Sequence, residues 1–109
     1  MEKTTDIIAL RQPESVEDPL TEIARDGARR MLAAALRAEA DAFVAEYAEE
    51  VLPDGRQRVV RHGYGPERSI QTGIGALDVQ RPKVRDRATD VPADQKIRFT
   101  SAILPKWAR

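Results

Sequence analysis

The chain has 109 residues and a formal net charge of zero, from 18 Lys/Arg against 18 Asp/Glu, with no cysteine and a single histidine. That length allows one domain at most, the missing thiols exclude a disulfide framework and a thiolate metal site, and one imidazole excludes any site that needs two. No window approaches the roughly 18–20 apolar residues of a membrane-spanning helix, and Met1–Leu10 lacks the basic start and apolar run of a leader, so a protein of the reducing cytoplasm is expected, with no membrane partner.

Residues 1–17 alternate polar and small apolar side chains without a sustained period and include Pro13, which predicts a mobile arm. Residues 18–52 read as a helical segment for packing and self-association. Asp18-Pro19 is a helix-start signal: the carboxylate can accept from an orphan backbone N–H, and proline suits the first helical position. From there Leu20, Ile23, Ala24, Ala28, Met31, Leu32, Ala35, Leu36, Phe43, Val44, Tyr47 and Val51 recur at three- and four-residue steps, which predicts one apolar stripe. A single rod over residues 19–50 would reach about 48 Å, longer than so small a domain can cover. Either Gly27 breaks it into two helices or a partner chain covers it, and a break together with a partner is the favoured reading. Pro53-Asp54-Gly55 then supplies turn chemistry.

Residues 56–87 form a basic β-hairpin region. Val59 and Val60 sit in a first extended run interrupted at Gly63 and Gly65-Pro66. Glu67–Thr72 and Ala76–Arg81 are two further runs joined by Gly73-Ile74-Gly75, with Ile70 and Thr72 on one face of the first and Leu77 and Val79 on one face of the second. Pro82 is read as an end of pairing or an edge, and Lys83–Arg87 as a charged extended tail. Residues 88–96 read as a loop. Phe99–Leu104 reads as the start of a further helix, capped by Thr100 or Ser101 and stopped early by Pro105, so the ending looks truncated. The fold class expected is α+β: a helical segment, one long or two broken helices, followed by a small antiparallel meander.

The zero net charge is a cancellation. Residues 1–55 carry six Lys/Arg against thirteen Asp/Glu, a net of −7, and residues 56–109 carry twelve against five, a net of +7. Such segregation suits a chain in which one part meets a polyanion and another packs on protein. Guanidinium groups pair bidentately with phosphate or with a guanine edge, and a two-stranded ribbon is an element that enters a major groove. Arg58, Arg61, His62, Tyr64, Arg68, Arg81, Lys83, Arg85 and Arg87 are the candidate DNA contacts. The competing reading is a solvated strand face whose charges keep sheet edges apart, and composition alone leaves the two level. Taken singly, His62 suits a turn and Tyr64 a small core under the hairpin, while Met31, Phe43 and Tyr47 suit core or self-association. Trp107, beside the terminus, suits a following element. No nucleophile with a base, carboxylate pair or metal cluster is visible, so no catalytic residue, cofactor or small-molecule substrate is assigned. Gly73-Ile74-Gly75 lacks the third glycine of a dinucleotide loop, since Asp78 stands there, and it joins two strands.

The run Arg61-His62-Gly63-Tyr64-Gly65-Pro66-Glu67-Arg68, then Ile70-Gln71-Thr72-Gly73-Ile74-Gly75, then Arg81-Pro82-Lys83-Val84-Arg85-Asp86-Arg87 resembles the N-terminal region of mutator-type transposases of bacterial insertion sequences. The likeness extends over residues 19–109, from Leu20-Thr21-Glu22 and the Ala-rich segment to Ile97–Pro105. His62 stands where many members of that family carry Asn, which keeps a polar side chain in the turn. The resemblance implies DNA transposition: binding to the terminal inverted repeats of the element, with strand cleavage and joining by an acidic triad and divalent metal on a following RNase H-like domain. None of that triad is assigned here, so this chain is expected to be inactive alone and to bind element ends or associate with full-length transposase. A structural assembly module and a decayed fragment are the alternatives.

Overall fold

The longest element is a helix of 28 residues, α1 (Pro19–Glu46), about 42 Å from end to end. The computed structural model describes residues 18–109, so the arm expected over 1–17 lies outside the described residues. Asp18 caps α1, its Oδ1 accepting from the Thr21 backbone N–H at 2.7 Å, a bond that lowers the carboxyl's pKa. The break expected at Gly27 is absent. A helical glycine costs about 1 kcal/mol relative to alanine, which the surrounding helix formers outweigh. The helix stops at Glu46, and Tyr47–Glu49 turns away.

The apolar stripe resolves into two faces. Leu36 and Ala40 are buried, with Leu32, Phe43, Val44 and Tyr47 half-buried around them. Leu20, Ile23 and Met31 point the other way and are 78%, 69% and 73% exposed.

After α1 come β1 (Val59–Tyr64), β2 (Arg68–Thr72), β3 (Gly75–Val79) and β4 (Pro82–Asp86), which completes the α+β class expected. The strands form two antiparallel ribbons, β2–β3 and β1–β4. The first is the expected hairpin: Thr72 pairs with Gly75 around the two-residue turn Gly73-Ile74. Gly75 takes φ +105°, a left-handed conformation that favours glycine. The Thr72 hydroxyl accepts from the Ile74 N–H at 3.2 Å and donates to the Gly75 carbonyl at 2.7 Å. From α1, Arg25 Nε donates to the Ile74 carbonyl at 3.2 Å, tying the turn to the helix.

The second ribbon corrects the reading of Pro82–Arg87 as a tail. Pro82 opens β4, a strand position where a missing N–H is tolerated, and β4 returns to β1 with Val59 opposite Asp86 and Arg61 opposite Val84. The register then shifts: Tyr64 faces Pro82, so His62 and Gly63 together oppose Lys83. This is a β-bulge, with Gly63 at φ +67°. Gly63 therefore bends β1 without ending it.

The described core is small. Leu36, Val79, Leu104 and Ala108 cluster, with Leu32 and Ile70 against them. Leu104 and Ala108 arrive from the segment where a further helix was expected. No α-helix forms there; the chain makes turns and a short 3-10 helix, Lys106–Ala108. Buried Ser101 explains the turn: its hydroxyl accepts from the Ile103 and Leu104 N–H groups, both at 3.1 Å, and donates to Glu39 Oε1 of α1 at 2.6 Å. Glu39 Oε2 accepts from the Ala102 N–H at 2.6 Å, and Phe99 packs on Phe43 with ring centroids 5.1 Å apart. Trp107 stays 60% exposed.

Candidate nucleic-acid interface

Strand pairing sorts the nine candidate contacts by face. On the β1–β4 ribbon, Val59, Arg61, Val84 and Asp86 share the face toward α1, while Val60, His62, Lys83 and Arg85 share the outer one. On β2–β3 the outward residues are Ser69, Gln71, Ala76 and Asp78, all exposed. The outward face of the β2–β3 ribbon thus carries no cation, Arg68 being exposed at its end, and the cationic face belongs to β1 and β4.

Three of the candidate arginines are committed to this chain's own acceptors. Arg58 grips Asp86 bidentately, Nε to Oδ1 and Nη2 to Oδ2, both at 2.8 Å, with Glu50 a further 3.7 Å neighbour. The Asp86 side chain is 3% exposed and also accepts from the Ala88 N–H at 3.0 Å and the Ile97 N–H at 2.8 Å. The Arg58 guanidinium, followed by those two backbone donors, holds the Asp86 carboxyl far below the usual carboxylate range against the opposing effect of desolvation. Arg61 Nη1 donates to Asp41 of α1 at 2.6 Å and Nη2 to the Tyr64 hydroxyl at 3.2 Å, with the guanidinium 5.5 Å from the Tyr64 ring centroid. Arg87 donates through Nε to the Gln57 carbonyl at 3.0 Å, and through Nη2 to the same oxygen.

The others are differently placed. Arg68 and Arg85 are exposed, Lys83 is half-buried, and none of the three has an ion-pair partner among the described residues. Arg81 is half-buried with its side chain folded over Gly65, where an added Cβ would lie 3.3 Å from its Cγ. His62 is exposed and Tyr64 is 47% exposed. The structure therefore brings His62, Lys83 and Arg85 together on one face and leaves Arg68 on the other ribbon.

Beside that face lies a cleft of about 390 Å³ between the ribbon and residues 96–99, to which His62 and Arg85 contribute on one side and Arg98 and Phe99 on the other. Lys96 also lines it, but its ammonium donates to the Asp86 and Ala88 carbonyls. Arg98 and Phe99 were not singled out in sequence as contacts, because both lie beyond the basic run and are brought to it by the bonds of Lys96 and Ile97 to Asp86. A second cleft, of about 400 Å³, is lined by Leu52, Arg56, Arg58 and Arg87; Arg56 is paired with Asp54 at 2.7 Å, so its three guanidiniums are all engaged. Among the described residues no group of three or more His, Cys, Asp or Glu is placed to hold a metal ion, and no helix is long and apolar enough to cross a membrane. Comparison with family models, with curated proteins and with solved structures gives no match.

Proposed function

We propose that the β1–β4 ribbon binds double-stranded DNA through its outer face. The observation that carries this reading is the segregation of cations: Lys83 and Arg85 stand beside His62 on the outer face without a carboxylate, while Arg58, Arg61 and Arg87 are half-buried and held by this chain's own acceptors. A face built only to remain solvated has no need of that division, whereas phosphate neutralisation needs cations that are free to pair. The resemblance to mutator-type transposases supports the same reading and names the DNA, the terminal inverted repeats of an insertion sequence. In that family cleavage belongs to an acidic triad on a following domain, so binding is the activity proposed for these residues. Replacing Lys83 and Arg85 together by Ala should lower affinity for duplex DNA by at least tenfold at low salt with an unchanged thermal melt. Unchanged affinity in that variant, or binding indifferent to salt, overturns the reading.

A second reading, assembly through α1, rests on a different observation. Leu20, Ala24, Met31, Ala34, Ala35 and Ala38 are all exposed on the helix face opposite Leu36 and Ala40, a stripe of large and small apolar residues at helical spacing. Self-association, or pairing with the same helix of full-length transposase, would cover it. Met31→Glu should then shift the chain toward monomer in sedimentation equilibrium, and a wild-type chain that is monomeric at all concentrations rejects it.

A further inference from the structure

We propose that the cleft between the β1–β4 ribbon and residues 96–99 receives an unpaired nucleotide of a DNA strand, so that the preferred ligand is a duplex with a single-stranded flank. The inference rests on the duplex-binding reading above. It starts from charge. Arg85 and Arg98 face the cleft with no ion-pair partner among the described residues, and His62 adds an imidazole. The one carboxylate lining it, Asp86, already accepts four hydrogen bonds, two from Arg58 and one each from the Ala88 and Ile97 N–H groups. It therefore neutralises Arg58 and leaves the two free guanidiniums uncompensated. An anion is the ligand such a site attracts.

Size and shape narrow the anion. A volume of about 390 Å³ lies at the small-ligand end of binding sites and is too small for duplex DNA. Phe99 lines the cleft while packing on Phe43 at 5.1 Å, so its ring is braced from the helix side. Val84 and Ile97 complete an apolar wall. Two free guanidiniums beside a braced aromatic ring are the elements of single-strand recognition: phosphate on the cations, base against the ring. His62, at the β-bulge, belongs both to the duplex-facing surface and to the cleft lining, which is where a strand leaving the ribbon would enter.

The test uses the full chain and fluorescence anisotropy with two DNAs that share one duplex, blunt or extended by a few unpaired nucleotides. The extended DNA should bind about tenfold tighter. Phe99→Leu, and separately Arg98→Ala at an exposed position, should each abolish that gain and leave blunt-duplex affinity unchanged. Equal affinity for the two DNAs overturns the cleft assignment and leaves the duplex reading standing. Loss of binding to both overturns the duplex reading and the cleft with it. A free deoxynucleoside monophosphate separates the two sources of the same chemistry: competition that removes only the overhang gain supports the proposal, and monophosphate binding without any overhang gain overturns it in favour of a small-molecule site.

Discussion

Asp86 shows how one side chain decides what an arginine is available to do. Its carboxylate closes a bidentate pair with Arg58 and caps two backbone donors, those of Ala88 and Ile97, while almost fully shielded. Asp86→Ala would leave those N–H groups unsatisfied and strand the half-buried Arg58. Hydrogen bonds to charged groups are worth about 1.5–3 kcal/mol each, and the loss should lower stability by about 3 kcal/mol in urea unfolding. The same carboxyl sets a pH dependence. It titrates well below its unfolded value of about 3.9, so in the acid range the unfolded chain binds more protons than the folded one. The stability it contributes is complete above that value and is lost as pH falls toward the depressed folded value. Melts below pH ~4 should therefore decline more steeply in the wild type than in Asp86→Asn. Equal slopes would mean that Asp86 titrates as an exposed carboxylate.

At the scale of elements, α1 offers the simplest measurement. Gly27 lies inside the helix, and a Cβ there meets nothing within 4 Å; Gly27→Ala should stabilise the chain by about 1 kcal/mol, read as a higher urea midpoint with unchanged slope. A lower midpoint would place that backbone outside the helical conformation. The C-terminal segment hangs on Glu39, whose two oxygens hold Ser101 and the Ala102 amide. Glu39→Ala should speed hydrogen exchange at Ala102, Ile103 and Leu104 on the order of tenfold while the β2–β3 amides keep their protection. What the sequence made legible follows the range of the interaction. The Asp18-Pro19 cap and the β2–β3 hairpin are local, and both can be read from adjacent residues. The β1–β4 pairing joins Val59 to Asp86 across two other strands, and nothing near Pro82 announces it, so β4 reads as a tail. Helical periodicity likewise places Met31 and Leu36 on different faces of α1 but does not say which face is buried, because the contact that chooses it is made by β3 and Leu104. The site was legible as a count of arginines. Which of them are free depended on Asp41 and Asp86, partners that only the fold brings near Arg61 and Arg58.

For the whole molecule, the opposed charges of the two halves are partly joined within the chain. Asp41 of α1 meets Arg61 of β1, and Glu50 lies beside Arg58, so some of the acidic half neutralises the basic half before any ligand arrives. Of the eight cations in the basic region, four are left for phosphate: Lys83, Arg85, Arg68 and, if it lifts from Gly65, Arg81. Counterion release converts that into a number, since log K falls with log salt by about 0.9 per phosphate neutralised. Three or four contacts give a slope between about −2.7 and −3.6, whereas eight would give about −7.2. The two cases diverge widely: between about 50 and 200 mM salt the smaller slopes predict a loss of affinity near 10²-fold, and the larger one a loss above 10⁴-fold. A titration of blunt duplex DNA across that range should return the smaller loss, and Arg58→Ala should leave the slope unchanged while lowering stability. The larger loss would require Arg58, Arg61 and Arg87 to abandon Asp86, Asp41 and the Gln57 carbonyl on binding, and in that case Arg58→Ala would reduce the slope by about one.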